Sequence, residues 1–157
     1  MLKIQLIIFK FFILFFISSS ILKAELINPN NNIEPIEVVK IQLTGLQNND
    51  LNYNDFGIKQ TWNFAHPDNK KNTGPLENFT QMIKGNAYGV LINHLESTVS
   101  LIKKNNDQAE FEVIILDQNK IYHKLLWQVE KYIEEGPLKD CWLTTIVTSP
   151  ISLGSSI

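Results

Sequence analysis

Residues 109–132 read AEFEVIILDQNKIYHKLLWQVEKY. Apolar and polar side chains alternate with a period of two in 109–116 and again in 121–132, and this period is typical of strands with one buried face. The four polar residues between them, 117–120, suit a tight turn. The stretch therefore predicts two antiparallel strands that form a hairpin.

One further strand is predicted on each side of this hairpin. Residues 94–104, HLESTVSLIKK, alternate in the same way, and residues 141–148 are rich in β-branched side chains. The chain end has no comparable pattern, so we expect residues 151–157 to be a flexible tail. The sequence thus predicts a four-stranded antiparallel sheet.

Three helices are predicted ahead of the sheet. Apolar residues recur at three- and four-residue steps in 36–47, in 53–65 and between Pro75 and Gly85. The polar stretch 68–74 predicts a loop between the second and third helices. Helices followed by antiparallel strands indicate an α+β fold, in which the three helices pack on one face of the sheet.

The first 24 residues differ from the rest of the chain. A lysine precedes a strongly apolar run, and small residues follow it, so we interpret 1–24 as a secretory signal peptide. The apolar run 4–22 is also close to the length of a membrane-spanning helix, so an uncleaved membrane anchor is the alternative. We expect export to a periplasm or lumen-like compartment, or attachment to a membrane if the segment is retained.

The remaining chain is mildly acidic. Three of the 14 lysines lie in residues 1–24, which leaves 11 lysines against 16 acidic residues, and the sequence contains no arginine. This balance argues against nucleic acid as a partner, and we expect membrane contact only through residues 4–22 if they are uncleaved. We interpret 25–35 as a linker and 36–150 as the domain.

The domain resembles the nuclear-transport-factor-2-like (cystatin-like) superfamily, and within it an uncharacterised domain family of bacteria, cyanobacteria and plastids. The resemblance implies a cone-shaped fold, with helices in the concave side of a curved sheet. The wider superfamily includes cofactor-free isomerases and dehydratases, ligand-binding proteins and scaffold domains. The resemblance covers residues 36–150 and rests on Val38, Val39, Gln42, Leu43, Leu46, Gln47, Asp50, Phe64, Ala65, Pro67, Thr73, Gly74, Pro75, Phe79, Met82, Ile83, Tyr88, His94, Trp127, Asp140, Cys141, Trp142 and Thr144.

Four residues are candidates for acid–base chemistry. Cofactor-free enzymes of the resembling superfamily tend to use an Asp–His pair, or an Asp with Tyr donors, deep in the cone. His94 and Glu96 share one face of a predicted strand, and His123 lies on the apolar face of another. His94 and His123, assisted by Glu96 or Tyr88, are the catalytic candidates; the alternative is that the histidines are hydrogen-bonded core residues.

Aromatic side chains offer a second candidate site. They could line a pocket for an apolar ligand, or they could form the core itself. The spacings HxH and HxxxH are absent and Cys141 is the single cysteine, so we expect no metal and no cofactor. The pocket candidates are Trp62, Phe79, Tyr88, Phe111, Trp127 and Trp142.

Three functions fit the sequence. The first is an exported, non-catalytic domain that binds a small apolar ligand or a protein. The second is a cofactor-free lyase or isomerase that uses the candidate histidines. The third is an accessory subunit of a membrane complex, held by residues 4–22. The sequence makes no prediction about the oligomeric state.

Overall fold

Residues 25–155 are described by the structure, a computed structural model, and they form an α+β fold as predicted. The interpretations of residues 1–24 lie outside the described residues. Four α-helices precede the sheet, and a 3-10 turn, Gly89–Leu91, leads into it. The helices are α1 (Pro35–Gln47), α2 (Phe56–Asn63), α3 (Pro67–Thr73) and α4 (Leu76–Lys84).

The sheet is antiparallel, in the order β1-β2-β3-β4, with β5 also paired to β3. The predicted hairpin is confirmed, because β2 and β3 pair along their length on either side of the 117–120 turn. β3 is long enough to pair with β4 at one end and with β5 at the other. The strands are β1 (Glu96–Lys104), β2 (Gln108–Leu116), β3 (Ile121–Lys131), β4 (Trp142–Val147) and β5 (Ile151–Ser155).

The core lies between the helices and one face of the sheet, which we call the inner face. Alternate residues of β2 and β3 are buried on this face, and each pairs with a buried residue of the other strand. The apolar stripe of α1 packs on them, since Val39, Leu43 and Leu46 are almost fully buried. The paired inner-face residues of the two central strands are Phe111 with Trp127, Val113 with Leu125, and Ile115 with His123.

α1 and α2 cross at two glycines. A Cβ atom on Gly57 would overlap the carbonyl oxygen of Gly45, so the backbones approach this closely only because Gly57 has no side chain. Asn49 fixes the start of α2, since its Oδ1 accepts from the Ile58 amide at 3.0 Å. The helix begins at Phe56 rather than at the predicted residue 53 because the preceding residue, Asp55, is left-handed with φ 63°.

The prediction of a loop at 68–74 is wrong, since α3 occupies most of it. No residue of α3 is buried, so the helix leaves no apolar period in the sequence. Its signals are local: the His66 Nδ1 accepts from the Asp68 amide at 3.2 Å, and Pro67 stands at the first helical position. Gly74, with φ 81°, ends the helix.

The prediction of a flexible tail at 151–157 is wrong for residues 151–155, which form β5 and make the sheet five-stranded. Residues 156–157 lie outside the described residues. β5 uses the part of β3, Ile121–Lys124, that β4 does not cover. Every residue of β5 is exposed, so backbone pairing rather than side-chain burial defines the strand, and the sequence pattern does not reveal it.

Candidate functional site

A cavity of about 280 Å³ lies between the helices and the inner face. Its walls come from all four helices, the 3-10 turn, β3 and β4, so residues far apart in sequence meet there. Apolar side chains provide most of the lining. They include Leu46, Trp62, Phe79, Met82, Ile83, Leu91, Trp127 and Val147.

Two tryptophans define opposite walls of the cavity. Trp62 on α2 packs against Phe79 on α4, with ring centroids 5.0 Å apart. The Lys70 ammonium lies over the Trp62 ring, 5.6 Å from its centroid, and burial lowers the pKa of that lysine. Trp127 lies on β3, with its side chain on the inner face and almost fully buried.

A buried cluster of polar groups holds Trp127 in place. The indole Nε1 donates to Gln42 Oε1 and to Thr144 Oγ1, at 3.2 Å each. The Thr144 hydroxyl donates to the same Gln42 oxygen at 2.6 Å, and Gln42 Nε2 donates to the Thr61 carbonyl at 3.0 Å. We call Gln42, Trp127 and Thr144 the amide cluster; its members bond one another, so the indole N–H and the Thr144 hydroxyl proton are both engaged within the protein.

Two further polar side chains connect the helical side of the cavity to β4. The Tyr88 hydroxyl donates to the Val147 carbonyl at 3.1 Å. Asn69 on α3 donates through Nδ2 to the carbonyls of Thr144 and Thr145, at 2.9 and 2.7 Å. The Asn69 hydrogen bonds reach β4 next to the shift in the β3–β4 register, near Thr145. Both side chains therefore stabilise the cavity wall.

The cavity carries no formal charge in the part of the chain that the structure describes. Its lining contains no Asp, Glu, Lys or His side chain. Its polar members are the amides, hydroxyls and indole already described, together with Thr73. An ionic ligand would find no counter-charge on this lining, whereas a neutral apolar molecule would exchange water for apolar contacts.

The catalytic candidates lie elsewhere, except for Tyr88. His94 is 2% exposed, and its Nδ1 is 2.8 Å from the Leu91 carbonyl, which requires the proton on Nδ1. Its Nε2 is buried and has no hydrogen-bond partner among residues 25–155. Burial lowers the pKa of His94 and so favours the neutral ring, against the smaller opposing effect of the Leu91 carbonyl. Glu96 is exposed at the start of β1, and no hydrogen bond or ion pair between described residues joins it to His94.

His123 is buried and paired, but it does not line the cavity. Its Nε2 lies 2.9 Å from Asp117 Oδ2, and the Asp117 Oδ1 accepts from the amides of Asn119 and Ile121 at 2.8 and 2.9 Å. Burial alone would raise the pKa of Asp117, but the hydrogen bonds from Ile121, His123 and Asn119 outweigh it and hold the pKa below its usual value. The structure thus leaves His94 and His123 outside the cavity.

Asp117 is the buried partner of His123, and it is not one of the four catalytic candidates. Its position at the start of the hairpin turn favours a turn role, because Asp commonly accepts backbone hydrogen bonds there. The register of the hairpin accounts for the contact between the two side chains. Leu116 pairs with Tyr122, which brings residue 117 to the strand end beside His123. The two side chains are then close enough to bond, and both are buried.

Four of the six aromatic candidates line the cavity: Trp62, Phe79, Tyr88 and Trp127. Phe111 is 1% exposed in the core and does not line it. Trp142 also lies elsewhere, with the ammonium groups of Lys104 and Lys131 at 5.9 and 5.3 Å from its ring centroid. These two lysines are the last residues of β1 and β3, and their cation–π contacts account for their position beside Trp142.

A larger surface depression, of about 680 Å³, is polar and open. Its lining includes His66, whose ring meets the Tyr132 ring at 5.4 Å, and Glu134. The Tyr132 hydroxyl donates to Glu134 at 2.8 Å, and this hydrogen bond raises the pKa of Tyr132. Residues 25–155 contain no group of three or more His, Cys, Asp or Glu side chains placed to hold a metal ion. The apolar cavity remains the better-formed site.

Cys141 is a free, buried thiol. Burial raises its pKa, and the neighbouring Asp140 adds to this effect. A raised pKa disfavours the thiolate, which is the reactive form of cysteine.

Comparison with known proteins finds no matching family model, no similar curated protein and no similar solved structure. Between residues 25 and 155, the helices are too short or too polar to cross a bilayer.

Proposed function

We propose that this domain is a non-catalytic binding protein for a small, uncharged and largely apolar ligand. The observation that carries the proposal is the cavity beside Trp62 and Trp127, which is apolar, carries no formal charge and has its polar donors bonded within the protein. Hydrophobic transfer supplies the driving force for such binding, and the two tryptophans provide large, rigid contact surfaces.

The size of the cavity narrows the ligand class. About 280 Å³ is just below the usual range for small-molecule sites, which suits a molecule of up to three rings or a short branched chain. The Tyr88 oxygen donates its proton to Val147 and keeps a lone pair that can accept from a ligand donor. We therefore favour a neutral ligand with at most one hydroxyl or N–H group.

The same proposal includes the cone-shaped, nuclear-transport-factor-2-like fold and the export of the domain. Helices that pack on one face of an antiparallel sheet, with a cavity between the two layers, support the fold assignment. The apolar segment 4–22 supports export or membrane attachment. The intact mass of the protein from its host tests this part: loss of residues 1–24 supports a cleaved signal, and their retention supports the anchor and the membrane-accessory alternative.

A cofactor-free lyase or isomerase is the second candidate, and the His123–Asp117 pair is the observation that favours it. A carboxylate that orients a histidine is a common arrangement in acid–base catalysis. Against this function, neither residue lines the apolar cavity. Binding is therefore the better-supported function.

Two related dyes test ligand charge directly. N-phenyl-1-naphthylamine is neutral, and 1-anilinonaphthalene-8-sulfonate has the same rings with an added anion. We expect the neutral dye to bind, to gain fluorescence and to quench the tryptophans, and the sulfonated dye to bind at least about tenfold more weakly because its charge would be desolvated without a counter-charge. Equal binding of the two dyes would contradict a charge-free site.

A pair of tryptophan substitutions on α4 locates the binding. Met82 lines the cavity, whereas its neighbour Gln81 does not, and both side chains are exposed enough for a larger residue to be tolerated. Met82→Trp is expected to fill the cavity and weaken dye binding about tenfold or more, and Gln81→Trp to leave it within about twofold. If both variants bind like the wild-type protein, the dye occupies another site and the proposal is wrong.

A further inference from the structure

β1 forms an open edge of the sheet. It pairs only with β2 among residues 25–155, and eight of its nine residues are exposed. The strand contains neither proline nor glycine. Such an edge presents backbone donors and acceptors to any strand that can pair with it.

The register identifies which backbone groups face outward. The Asp117 amide donates to the Ile121 carbonyl, so the odd-numbered residues of β2 direct their backbone groups to β3 and the even-numbered ones to β1. Ile114 pairs with Thr98, so the even-numbered residues at the start of β1 face β2. The N–H and C=O groups directed away from the sheet therefore belong to Ser97, Val99 and Leu101.

The ends of the strand are protected, but its centre is not. At one end the register shifts between Leu101 and Lys103, and Lys104 forms an ion pair with Glu34 at 3.0 Å. At the other end Gln47 Nε2 donates to the Leu95 carbonyl at 2.8 Å. Bulges and lysines are devices that block edge pairing, so the open part is limited to residues 96–101.

We propose that this edge pairs with β1 of a second copy of the chain and forms a homodimer with one continuous sheet. Antiparallel pairing about a two-fold axis at Val99 places the two Val99 residues opposite each other as a hydrogen-bonded pair. Ser97 of each copy then lies opposite Leu101 of the other. All the outward backbone groups of 97, 99 and 101 find partners in this register.

The side chains favour the same register. Thr98 comes opposite Ser100, and beyond the bulge Glu96 comes opposite Lys103 on the outer face. Each dimer therefore contains two interchain Glu96–Lys103 pairs. Both side chains are exposed, and Lys103 already bonds Glu110 at 3.1 Å, so Glu96 would extend an existing ion pair. This charge complementarity is why we favour a second copy over an unrelated extended peptide.

Cysteine cross-linking tests the register. Residues in a hydrogen-bonded antiparallel pair have Cα atoms about 5.5 Å apart, which a disulfide can span. Val99→Cys is therefore expected to give a disulfide-linked dimer under mild copper–phenanthroline oxidation. Leu101→Cys, on the same face, is the control, because its counterpart in the other copy lies about 13 Å along the strand. Cross-linking of Leu101→Cys at the same rate, or none of Val99→Cys, would overturn the proposal.

Sedimentation velocity at protein concentrations from about 1 to about 500 µM measures self-association and so tests the interchain hydrogen bonds. The range extends to high concentration because a small interface predicts weak association. Val99→Pro removes an amide that faces away from β2, so the fold is retained while the interchain bonds are lost. We expect its association to fall about thirtyfold, because two such bonds are lost per dimer, and Val99→Thr to associate like the wild-type chain. A wild-type chain that stays monomeric throughout, or a Val99→Pro variant that dimerises equally, contradicts the proposal.

Charge reversal separates a second copy from another peptide. Glu96→Lys is expected to weaken self-association by placing like charges opposite each other, and Glu96→Lys with Lys103→Glu to restore part of it. Thermal unfolding at low protein concentration checks that each variant folds as a monomer. If the charges have no effect and an unrelated extended peptide is captured by the edge instead, a peptide partner replaces the homodimer.

Discussion

The amide cluster and the hairpin turn use different chemistry to bury polar groups on the same sheet. Gln42, Trp127 and Thr144 bond one another through neutral groups beside the cavity. Asp117 and His123 bond each other through the Asp117 carboxylate, near the first residues of β3. Only the neutral arrangement leaves a charge-free surface for an apolar ligand, and only the ionic one makes stability depend on pH.

Removing the centre of the amide cluster is expected to have the largest effect. Gln42→Leu leaves the Thr144 hydroxyl without its acceptor, leaves the Trp127 indole with one acceptor and removes one of the two donors to the Thr61 carbonyl. Buried polar groups without partners cost about 1–3 kcal/mol each, so we expect the free energy of unfolding to fall by about 3 kcal/mol. Urea unfolding measures this loss, which is expected to be the same at mildly acid and neutral pH.

Gln47→Leu on the same helix is the control. Gln47 donates a single hydrogen bond to the Leu95 carbonyl at a partly exposed position, so its loss is expected to cost less than about 1 kcal/mol. Equal losses for the two glutamines would mean that the cluster contributes no more than one surface hydrogen bond.

Breaking the ionic arrangement is expected to have the second-largest effect. Asp117→Asn removes the charge that accepts from His123 and from two backbone amides, and the free energy of unfolding is expected to fall by about 1–2 kcal/mol at neutral pH. Because the pKa of Asp117 is lowered in the folded state, its contribution is present above the unfolded pKa of about 3.9 and is lost as the pH falls through the folded value.

The difference between wild type and Asp117→Asn is therefore expected to shrink below about pH 4. Urea unfolding of both proteins between about pH 3 and pH 7 measures it. A difference that stays constant through this window would show that the carboxylate charge does not stabilise the folded state.

Most of the fold follows from side-chain periodicity, and the missed elements lack it. The hairpin and α1 bury regular stripes, so their sequences record the structure. α3 buries no side chain, and β5 exposes all five of its residues, so local capping and backbone pairing determine them. A polar sequence then looks like a loop or a tail even where the chain is regular.

The sequence offers the wall residues of the cavity only as a broader set of aromatic candidates. Aromatic residues near helix–sheet contacts are frequent wall residues, and four of the candidates, Trp62, Phe79, Tyr88 and Trp127, lie around one cavity. Which of the buried residues face the cavity depends on tertiary packing, so Phe111 and Trp142 could not be separated from them. The amide cluster joins Gln42 to Thr144 across 102 residues, and no local pattern predicts such a bond.

Substitution of His94 is expected to have the smallest effect, because this residue is buried and only one of its ring nitrogens has a hydrogen-bond partner among residues 25–155. His94→Asn keeps a donor near the position of Nδ1 for the Leu91 carbonyl and removes the Nε2 atom. The lost packing of the ring and the removed unpaired atom oppose each other, so we expect the free energy of unfolding at neutral pH to change by less than about 1 kcal/mol.

The pH dependence of this variant is more informative than its stability at neutral pH. Burial lowers the pKa of His94 in the folded state, so the unfolded chain takes up a proton first as the pH falls below about 6.5, and the wild-type protein loses stability there. His94→Asn is expected to lack this loss. Urea unfolding of wild type and His94→Asn across about pH 5–7 measures the difference; equal slopes for the two proteins would mean that the ring is protonated without cost in the folded protein.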